Sequence, residues 1–544
     1  MIPEPIAEFR ADRRTATAEA PGEELRPAHG RLPASGELPR WDVLRALRAA
    51  AALAGLAVIG AYLAIALDRL GYPFTLEILE SNSLVEVHRL VAGQPLYAAP
   101  AVSYVPDGYP PLYFAVSAAL AGVLGPGYLP LRLVSLVSSL ACFAIVTRLV
   151  QRETESAAAG MAAAGVLAAT YFAASEWFDV ARVDSLFLAL SAAALYAARW
   201  MHRTRGAIAA GLLLGAAFLT KQTALAEGVA VLAAAAAGPR RRLAVPAALT
   251  YAAVLGGSTL VLGLVSHGWY VYYVFVQMSE HKFIAASAVL FWTRYLLPTL
   301  GIAMCAVMLG ARRMPVMLLA GCSALVVEGY AALVHAGGNV NDALPAYLVV
   351  ALLAGLAMGE RNAGRHSVRA RQWLGAVVAG LVVAQVTVLA TGFRPSRAIP
   401  SNADRAAGLR LMAGVRALGG TVLIPADPGL ALMAGLPPGE DQVATADVLH
   451  ASDQAAQAAF TGSVARAVAQ QQFTAIMTRL PTDLRGFPAD LTRYYFRCPQ
   501  MPLIGLPAAP FQAGTGAAGQ QVSLWLPVGR GSCVASLRAL KAQD

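Results

Sequence analysis

Two glutamates, three residues apart, follow the first long apolar run of the chain. Glu77 and Glu80 stand just beyond the uncharged run at residues 49–67. On a helix, residues three apart share a face. One ionised carboxylate at a membrane interface could accept the proton of an attacking hydroxyl, which is general base catalysis. The alternative is a pair of solvated glutamates that only ends the apolar run.

Two further charged positions stand at the ends of apolar runs. Asp184 follows Arg182 closely, and burying a carboxylate in a membrane costs on the order of 2.5–3.5 kcal/mol, so we favour a function over a simple Arg182–Asp184 surface pair. Lys221 separates two apolar segments. It could bind a phosphate as a point charge, or it could extend its ammonium group to the interface.

Two polar clusters accompany these residues. The first flanks the aromatic loop at residues 266–283 and consists of His267, His281, Lys282 and Arg294. The second consists of His335, Asn339, Asn341 and Asp342. We interpret both as candidate substrate contacts, and the alternative for the second cluster is a loop cap.

The composition indicates a polytopic membrane protein. Of 544 residues, 57% are hydrophobic and 14% are charged, whereas soluble domains carry about 25% charged residues. The net charge of +10 comes from short arginine clusters between apolar runs. Such clusters are topology signals, so no nucleic-acid partner is predicted.

Apolar runs and arginine clusters predict an all-α bundle of about eleven spans, with the N-terminus inside and the C-terminus outside. The predicted spans are residues 49–67, 131–150, 157–175, 185–199, 206–219, 223–237, 243–265, 291–310, 316–334, 343–358 and 373–391. Residues 111–124 would either span or lie at the interface, and only the interfacial helix keeps every arginine cluster inside. The acids, histidines and aromatic loop then share the outer face.

Three regions are predicted. Residues 1–44 form a disordered cytoplasmic tail without a signal-peptide core, residues 45–391 form the membrane domain, and residues 392–544 form a small α/β domain outside it. The loop at residues 70–130 carries juxtamembrane helices. In the last region, residues 421–424 and 473–477 are predicted strands, and residues 404–418 and 455–471 predicted helices. Cys498 and Cys533 could form a disulfide if this region lies outside.

The order of these motifs resembles the GT-C superfamily of membrane glycosyltransferases, and within it the branch similar to protein O-mannosyltransferases and lipid A aminoarabinose transferases. The resemblance covers roughly residues 45–390. It rests on Glu77-Ile-Leu-Glu80, Gly93-Gln-Pro-Leu-Tyr97, Tyr109-Pro-Pro-Leu-Tyr113, Asp184 in Ala-Arg-Val-Asp, and the glycine-rich segment from Gly211 to Lys221. Leu79-Glu80 stands where many members have Asp-Glu, and Tyr109 where many have Lys or His.

The resemblance implies an enzyme that moves a hexose or pentose from a polyprenyl-phosphate donor, with inversion, to a hydroxyl of a glycan, lipid or protein. The reaction would take place at the periplasmic face of the bacterial inner membrane. Glu80 would be the general base, with Glu77 the alternative that stays open. Asp184 would orient the acceptor or a divalent cation, and no other cofactor is predicted. The expected substrate contacts are Arg182, Lys221, Arg294, His267, Tyr109, Tyr113, His335 and Asn339.

Two other functions use the same residues. A transporter or flippase of lipid-linked sugars would bind with these cations and aromatic rings and make no bond. Transporters often have internal repeats and broken helices at the membrane midplane, and neither is evident in the sequence. A non-catalytic scaffold for the last domain would need no acids at the outer ends of several spans.

Overall fold

The computed structural model describes residues 40–239, 241–310, 314–359, 367–479, 481–498 and 523–541. Most of the predicted tail at residues 1–44 lies outside these residues, although the first helix already begins at Arg40. Arg240, Arg312, Arg313 and the first part of the basic loop at residues 361–371 also lie outside the described residues.

All eleven predicted spans are helical. They correspond to α1 and to α4 through α13, and a short 3₁₀ turn, Val340–Ala343, leads into α12. The bounds are α1 Arg40–Leu70, α4 Tyr128–Thr154, α5 Ala157–Ala169, α6 Asp184–Arg199, α7 Thr204–Thr220, α8 Ala224–Ala237, α9 Arg241–Val265, α10 Ala285–Leu309, α11 Val316–Leu333, α12 Leu344–Ala357 and α13 Val368–Ala390.

Seven helices of the described chain are long and apolar enough to cross a membrane. They are α1, α4, α9, α10, α11, α12 with its leading turn, and α13. The helices α5 to α8 have 13 to 17 residues and would cross a core of about 30 Å only in part. The fold is therefore the expected helical bundle, while the number of spans and their orientation stay predictions.

Small residues bring α1 and α5 into close contact. A Cβ atom added to Gly165 would lie 2.1 Å from the Cα of Gly55, so the two backbones touch. Glycine at such a crossing lets helices pack by van der Waals contact, which drives helix association in lipid. α1 also packs against α13, and the α4–α5–α6 group completes this half of the bundle.

The loop between α1 and α4 carries two helices, α2 (Glu80–Val91) and α3 (Leu112–Leu124). α3 has 13 residues and a length of about 20 Å, which fits the predicted interfacial helix. α2 begins at Glu80, and Glu77 lies in the turn before it. The two glutamates therefore do not share a helix face.

The last domain has a four-stranded mixed sheet in the order β1-β2-β4-β3. β1 (Val422–Leu423) and β2 (Ala475–Thr478) are the two predicted strands, and they pair in parallel. β3 (Tyr495–Arg497) and β4 (Ser523–Pro527) were not predicted. The helices are α14 Asn402–Leu418, α15 Pro428–Met433, α16 Gln442–His450, α17 Gln454–Ala469 and α18 Cys533–Lys541. α14 and α17 match the predicted helices.

Cys498 and Cys533 form a disulfide, a pairing that the sequence had left open. We expect the C498S/C533S double variant to lose about 2–4 kcal/mol of domain stability, because a cross-link restricts the unfolded chain. Thermal unfolding with and without reductant measures this loss. Thiol counting in denaturant should give three reactive cysteines before reduction and five after. Cys305→Ser is the matched control, and equal unfolding of reduced and oxidised protein would contradict the expectation.

Candidate active site

A cavity of about 280 Å³ lies where the membrane bundle meets the last domain. Four parts of the bundle line it: the loop between α1 and α4, the turn between α7 and α8, the segment after α9, and the α11–α12 loop. α16 of the last domain supplies the remaining wall. The cavity therefore joins segments that are up to 368 residues apart, from Leu79 to Asp447.

Lys221 lies at this cavity between two aspartates. Its ammonium Nζ is 3.0 Å from Asp184 Oδ1 and 2.9 Å from Asp342 Oδ1, and all three side chains are almost fully buried. Asn341 donates a second hydrogen bond to Asp184 Oδ1, at 3.2 Å. The ends of three helices position these groups, because Lys221 ends α7, Asp184 begins α6, and Asp342 lies in the turn before α12.

Arg182 is the second buried cation. Its guanidinium donates a hydrogen bond to the Tyr109 hydroxyl at 3.0 Å and stacks between the rings of Tyr109 and Trp177, with centroid distances of 5.1 and 5.4 Å. Asp107 Oδ2 is 3.8 Å from Arg182 Nη1. Tyr109 and Asp107 both line the cavity, so Arg182 lies directly behind its wall.

Glu80 is fully engaged by neighbouring groups. Arg132 donates to both of its carboxylate oxygens, at 2.9 and 2.7 Å, and neither side chain is exposed. The backbone N–H groups of Leu76 and Ala181 add one hydrogen bond to each oxygen, both at 2.6 Å. Burial opposes ionisation of Glu80, but Arg132 and the backbone donors outweigh it, so the pKa of Glu80 lies below its ordinary value. These contacts favour a structural role.

Glu77 has fewer partners. It accepts a hydrogen bond from Leu79 N at 2.9 Å, and 7% of the residue is exposed. Burial raises the pKa of Glu77 to about 7, and nearby Arg182 opposes part of that rise. The choice of Glu80 over Glu77 stays a prediction, and the surroundings of the two carboxylates favour Glu77.

Asp107 was missed in the sequence, although it lies in the same loop. It lines the cavity and accepts a hydrogen bond from Asn82 Nδ2 at 2.7 Å. Burial raises the pKa of Asp107, and the Arg182 guanidinium partly offsets this effect. Its position two residues before Tyr109-Pro-Pro-Leu-Tyr113 was the available signal.

The family comparison matches the middle of the chain. Residues 108–270 match the model of a family described as dolichyl-phosphate-mannose-protein mannosyltransferase. Among solved structures, ArnT from Cupriavidus metallidurans bound to undecaprenyl phosphate is similar, with a TM-score of 0.56 and 12% identity over 86% of this chain and 97% of that one. The chain has the GT-C fold. The apo form of the same ArnT is also similar, with a TM-score of 0.51 and 12% identity over 78% and 92%.

The sequence resemblance to GT-C proteins is thereby confirmed. The match to the family model contains Tyr109, Tyr113, Arg182, Asp184 and Lys221, and it ends before the last domain begins. No curated protein sequence matches the chain.

Some expected substrate contacts do not line the cavity. Tyr113 is fully buried and donates its hydroxyl to the Leu131 carbonyl, while Arg294 and His267 are exposed elsewhere. Asn339 caps the turn before α12 through a reciprocal hydrogen-bond pair with Asp342, which matches the loop-cap alternative. His335, like Tyr109 and Lys221, does line the cavity.

The cavity wall from the last domain was not foreseen. α16 contributes Val443 and Asp447, and His281 Nε2 is 3.4 Å from Asp447 Oδ1. Beside this pair, Ser452 binds Glu280 through its backbone N–H and its hydroxyl, at 2.6 and 2.5 Å. No sequence pattern predicted that α16 lines the cavity, since its residues reach the cavity only because the last domain packs against the bundle.

A divalent cation at Asp184 stays a prediction. Among the described residues, no group of three or more His, Cys, Asp or Glu side chains could hold a metal ion. Asp184 Oδ1 is already bound by Lys221 and Asn341. A cation there would have to compete with the lysine.

Proposed function

We infer that the protein is a membrane glycosyltransferase that moves a sugar from a polyprenyl-phosphate donor to a hydroxyl acceptor, with inversion. The observation that carries this inference is the cavity, which is lined by the carboxylate of Asp107 and by the cation Lys221, with the cation Arg182 directly behind its wall. The description of the matched family and the undecaprenyl phosphate bound to the similar ArnT support a lipid-linked donor.

Lys221 and Arg182 would hold the donor phosphate. An ammonium group has three N–H donors, and Asp184 and Asp342 take two of them, so one remains for a phosphate oxygen at the cavity. Arg182 would add charge from behind Tyr109. Fixed cations at the leaving phosphate stabilise the negative charge that develops as the bond to the sugar breaks.

Asp107 is the general base in this proposal, because a base must first be within reach of the hydroxyl whose proton it takes. The loop between α1 and α4 has four acids, Glu77, Glu80, Glu86 and Asp107, and the last of them lines the cavity. The acceptor oxygen would attack the anomeric carbon, its proton would pass to Asp107, and the bonding electrons would leave with the phosphate. A single displacement of this kind inverts the anomeric centre.

The reaction would occur at the periplasmic face of a bacterial inner membrane. The Cys498–Cys533 disulfide supports this placement, because disulfides persist in oxidising compartments. Arg148, Arg152, Arg199 and Arg203 lie at helix ends away from the cavity-lining turns, which agrees with the positive-inside rule. The acceptor would be a glycan, a lipid or a protein hydroxyl.

The test is sugar transfer in proteoliposomes that contain polyprenyl-phosphate sugars and a panel of hydroxyl acceptors. We expect free polyprenyl phosphate to be released only when an acceptor is present. A flippase would move the donor across the membrane without releasing it, and no observation favours that alternative. If the release of polyprenyl phosphate does not depend on the acceptor for any donor and acceptor in the panel, the proposal is rejected.

Lys221 offers a charge test of donor binding. We expect Lys221→Met to lower transfer by about 10²–10³-fold, the usual cost of losing one preorganised electrostatic donor. Lys221→Arg keeps the charge and should retain more activity, which separates the charge from the packing. Thermal unfolding of both variants shows whether the loss of activity comes from a loss of stability, because Lys221→Met leaves Asp184 and Asp342 without their partner. Equal activity of the Met variant and the wild type would remove Lys221 from the phosphate site.

A further inference from the structure

A group of buried oxygen atoms lies inside the bundle, outside the site described above. The carboxyl groups of Glu227 and Glu328 are 0% and 3% exposed, and none of their four oxygens has a hydrogen-bond partner within the described residues. The hydroxyls of Ser191 and Tyr251 are also buried and also lack partners there. Six orphaned oxygens in one helical bundle need a physical reason, because each loses its hydration on burial.

The four side chains converge on α8. This helix carries Glu227 and packs against α6, α9 and α11, which carry Ser191, Tyr251 and Glu328. Ser191 lies beside the Glu227 carboxyl. Tyr251 lies against the next residue, since a Cβ atom on Gly228 would be 2.5 Å from its hydroxyl. The two carboxyl groups are close enough to repel each other when ionised.

The group lies about one helical turn below the floor of the cavity. Thr223 and Ala331 line the cavity, and Glu227 follows Thr223 by four residues while Glu328 precedes Ala331 by three. At 3.6 residues per turn, both carboxyl groups are one turn deeper in the bundle.

The charges near the group do not balance. Lys221 acts on Glu328, but it is already bound by Asp184 and Asp342. Two ionised carboxylates without cations are strongly unfavourable in this interior, because each loses its hydration without gaining a partner. A divalent ion would cancel their charge, and calcium takes six to eight oxygen ligands, which four carboxylate oxygens and two hydroxyls could supply in large part.

We propose that Glu227, Glu328, Ser191 and Tyr251 form a binding site for a hard divalent cation of the Ca²⁺ or Mg²⁺ type, one turn below the cavity floor. The site differs from the position of Asp184, where the lysine occupies the carboxylate. With two carboxylates, it depends on the hydroxyls for the rest of its ligands.

Carbodiimide labelling of the purified full-length protein tests this proposal without measuring sugar transfer. Dicyclohexylcarbodiimide modifies protonated buried carboxyl groups, and mass spectrometry identifies the modified residue. We expect Glu227 or Glu328 to be labelled in chelator, and Ca²⁺ or Mg²⁺ to slow that labelling at least about tenfold. The same ions should raise the unfolding temperature, because a ligand that binds only the folded protein stabilises it.

Two variants make the result specific. E227Q/E328Q should abolish the thermal shift, whereas E440Q, which removes a buried acid of the last domain, should keep both effects. Labelling that no cation changes would mean that the pair is simply protonated, and the proposal would be overturned. Protection by Na⁺ but not by divalent ions would overturn the assignment to a divalent cation. Labelling and unfolding are independent of transfer, so failure here leaves the proposed enzyme activity untouched.

Discussion

Asp107→Asn is expected to lower the rate of sugar transfer by about 10²–10⁴-fold, the usual contribution of a positioned general base. The amide keeps the shape and can still bind Asn82, but it cannot take the acceptor proton. The measurement is single-turnover transfer in proteoliposomes at saturating donor. Asp447→Asn is the matched control, because Asp447 lines the same cavity from the opposite domain and should cost far less.

Substitutions of Glu77 and Glu80 test which acid is the general base. We expect Glu77→Gln to have a smaller effect than Asp107→Asn, and Glu80→Gln to act through folding, since Glu80 is bound by Arg132. If Glu77→Gln abolishes transfer and Asp107→Asn retains it within about threefold, the base is Glu77 and the assignment to Asp107 is wrong.

The pH profile adds an independent criterion. A general base works in its ionised form, so the rate should fall as the pH drops through its pKa. Burial raises the pKa of Asp107, which moves this acidic limb above the ordinary aspartate range. An acidic limb near pH 7 that disappears in Glu77→Gln would instead match the pKa of about 7 of Glu77.

Arg132→Met should destabilise the fold by about 3–5 kcal/mol, because it leaves the buried Glu80 carboxylate without its cation. The same guanidinium also binds the carbonyls of Tyr72 and Phe74, at 2.5 and 2.6 Å. Thermal unfolding in detergent measures the loss. The double variant R132M/E80L removes both charges and should recover much of the stability.

Arg152→Met is the control for this experiment. Arg152 stacks on the aromatic rings of Tyr196 and Trp200, but it is exposed, so its removal should cost no more than about 1 kcal/mol. Equal losses in the two single variants would mean that the Glu80–Arg132 pair contributes no more than a surface contact. In that case Glu80 would again be a candidate for the general base.

The elements of this protein could be predicted from local sequence, and its site only in part. Apolar runs of sufficient length identified every helix from α4 to α13, because the period and length of such runs are local properties. Lys221, Asp184 and Tyr109 were found since each interrupts or borders an apolar run. They indeed lie at or beside one cavity.

The sequence could not predict which acids of the loop have a structural role, as Glu80 does, and which one is available as a general base. It depends on Arg132, which is 52 residues from Glu80 in sequence and stands at the start of a predicted span. Asp107 appeared to be one loop residue among many, and Asp447 belongs to a domain that matched no motif. Both gain their position from packing between distant segments, and no spacing along the chain encodes that packing.

Because α16 forms one wall of the cavity, the cavity connects the last domain to the membrane bundle. The last domain has its own sheet and disulfide, and it reaches the membrane bundle through contacts such as Asp447–His281 and Ser452–Glu280. Interfaces of this kind within one chain allow relative motion unless they are large and apolar. Here one buried apolar cluster joins the loop between α1 and α4 to the last domain, with Val102 on one side and Val448 and Phe460 on the other, so separating the two units would expose apolar surface. The cavity therefore keeps its shape only while both units stay folded, and a substitution that unfolds the last domain is expected to abolish substrate binding in the bundle as well.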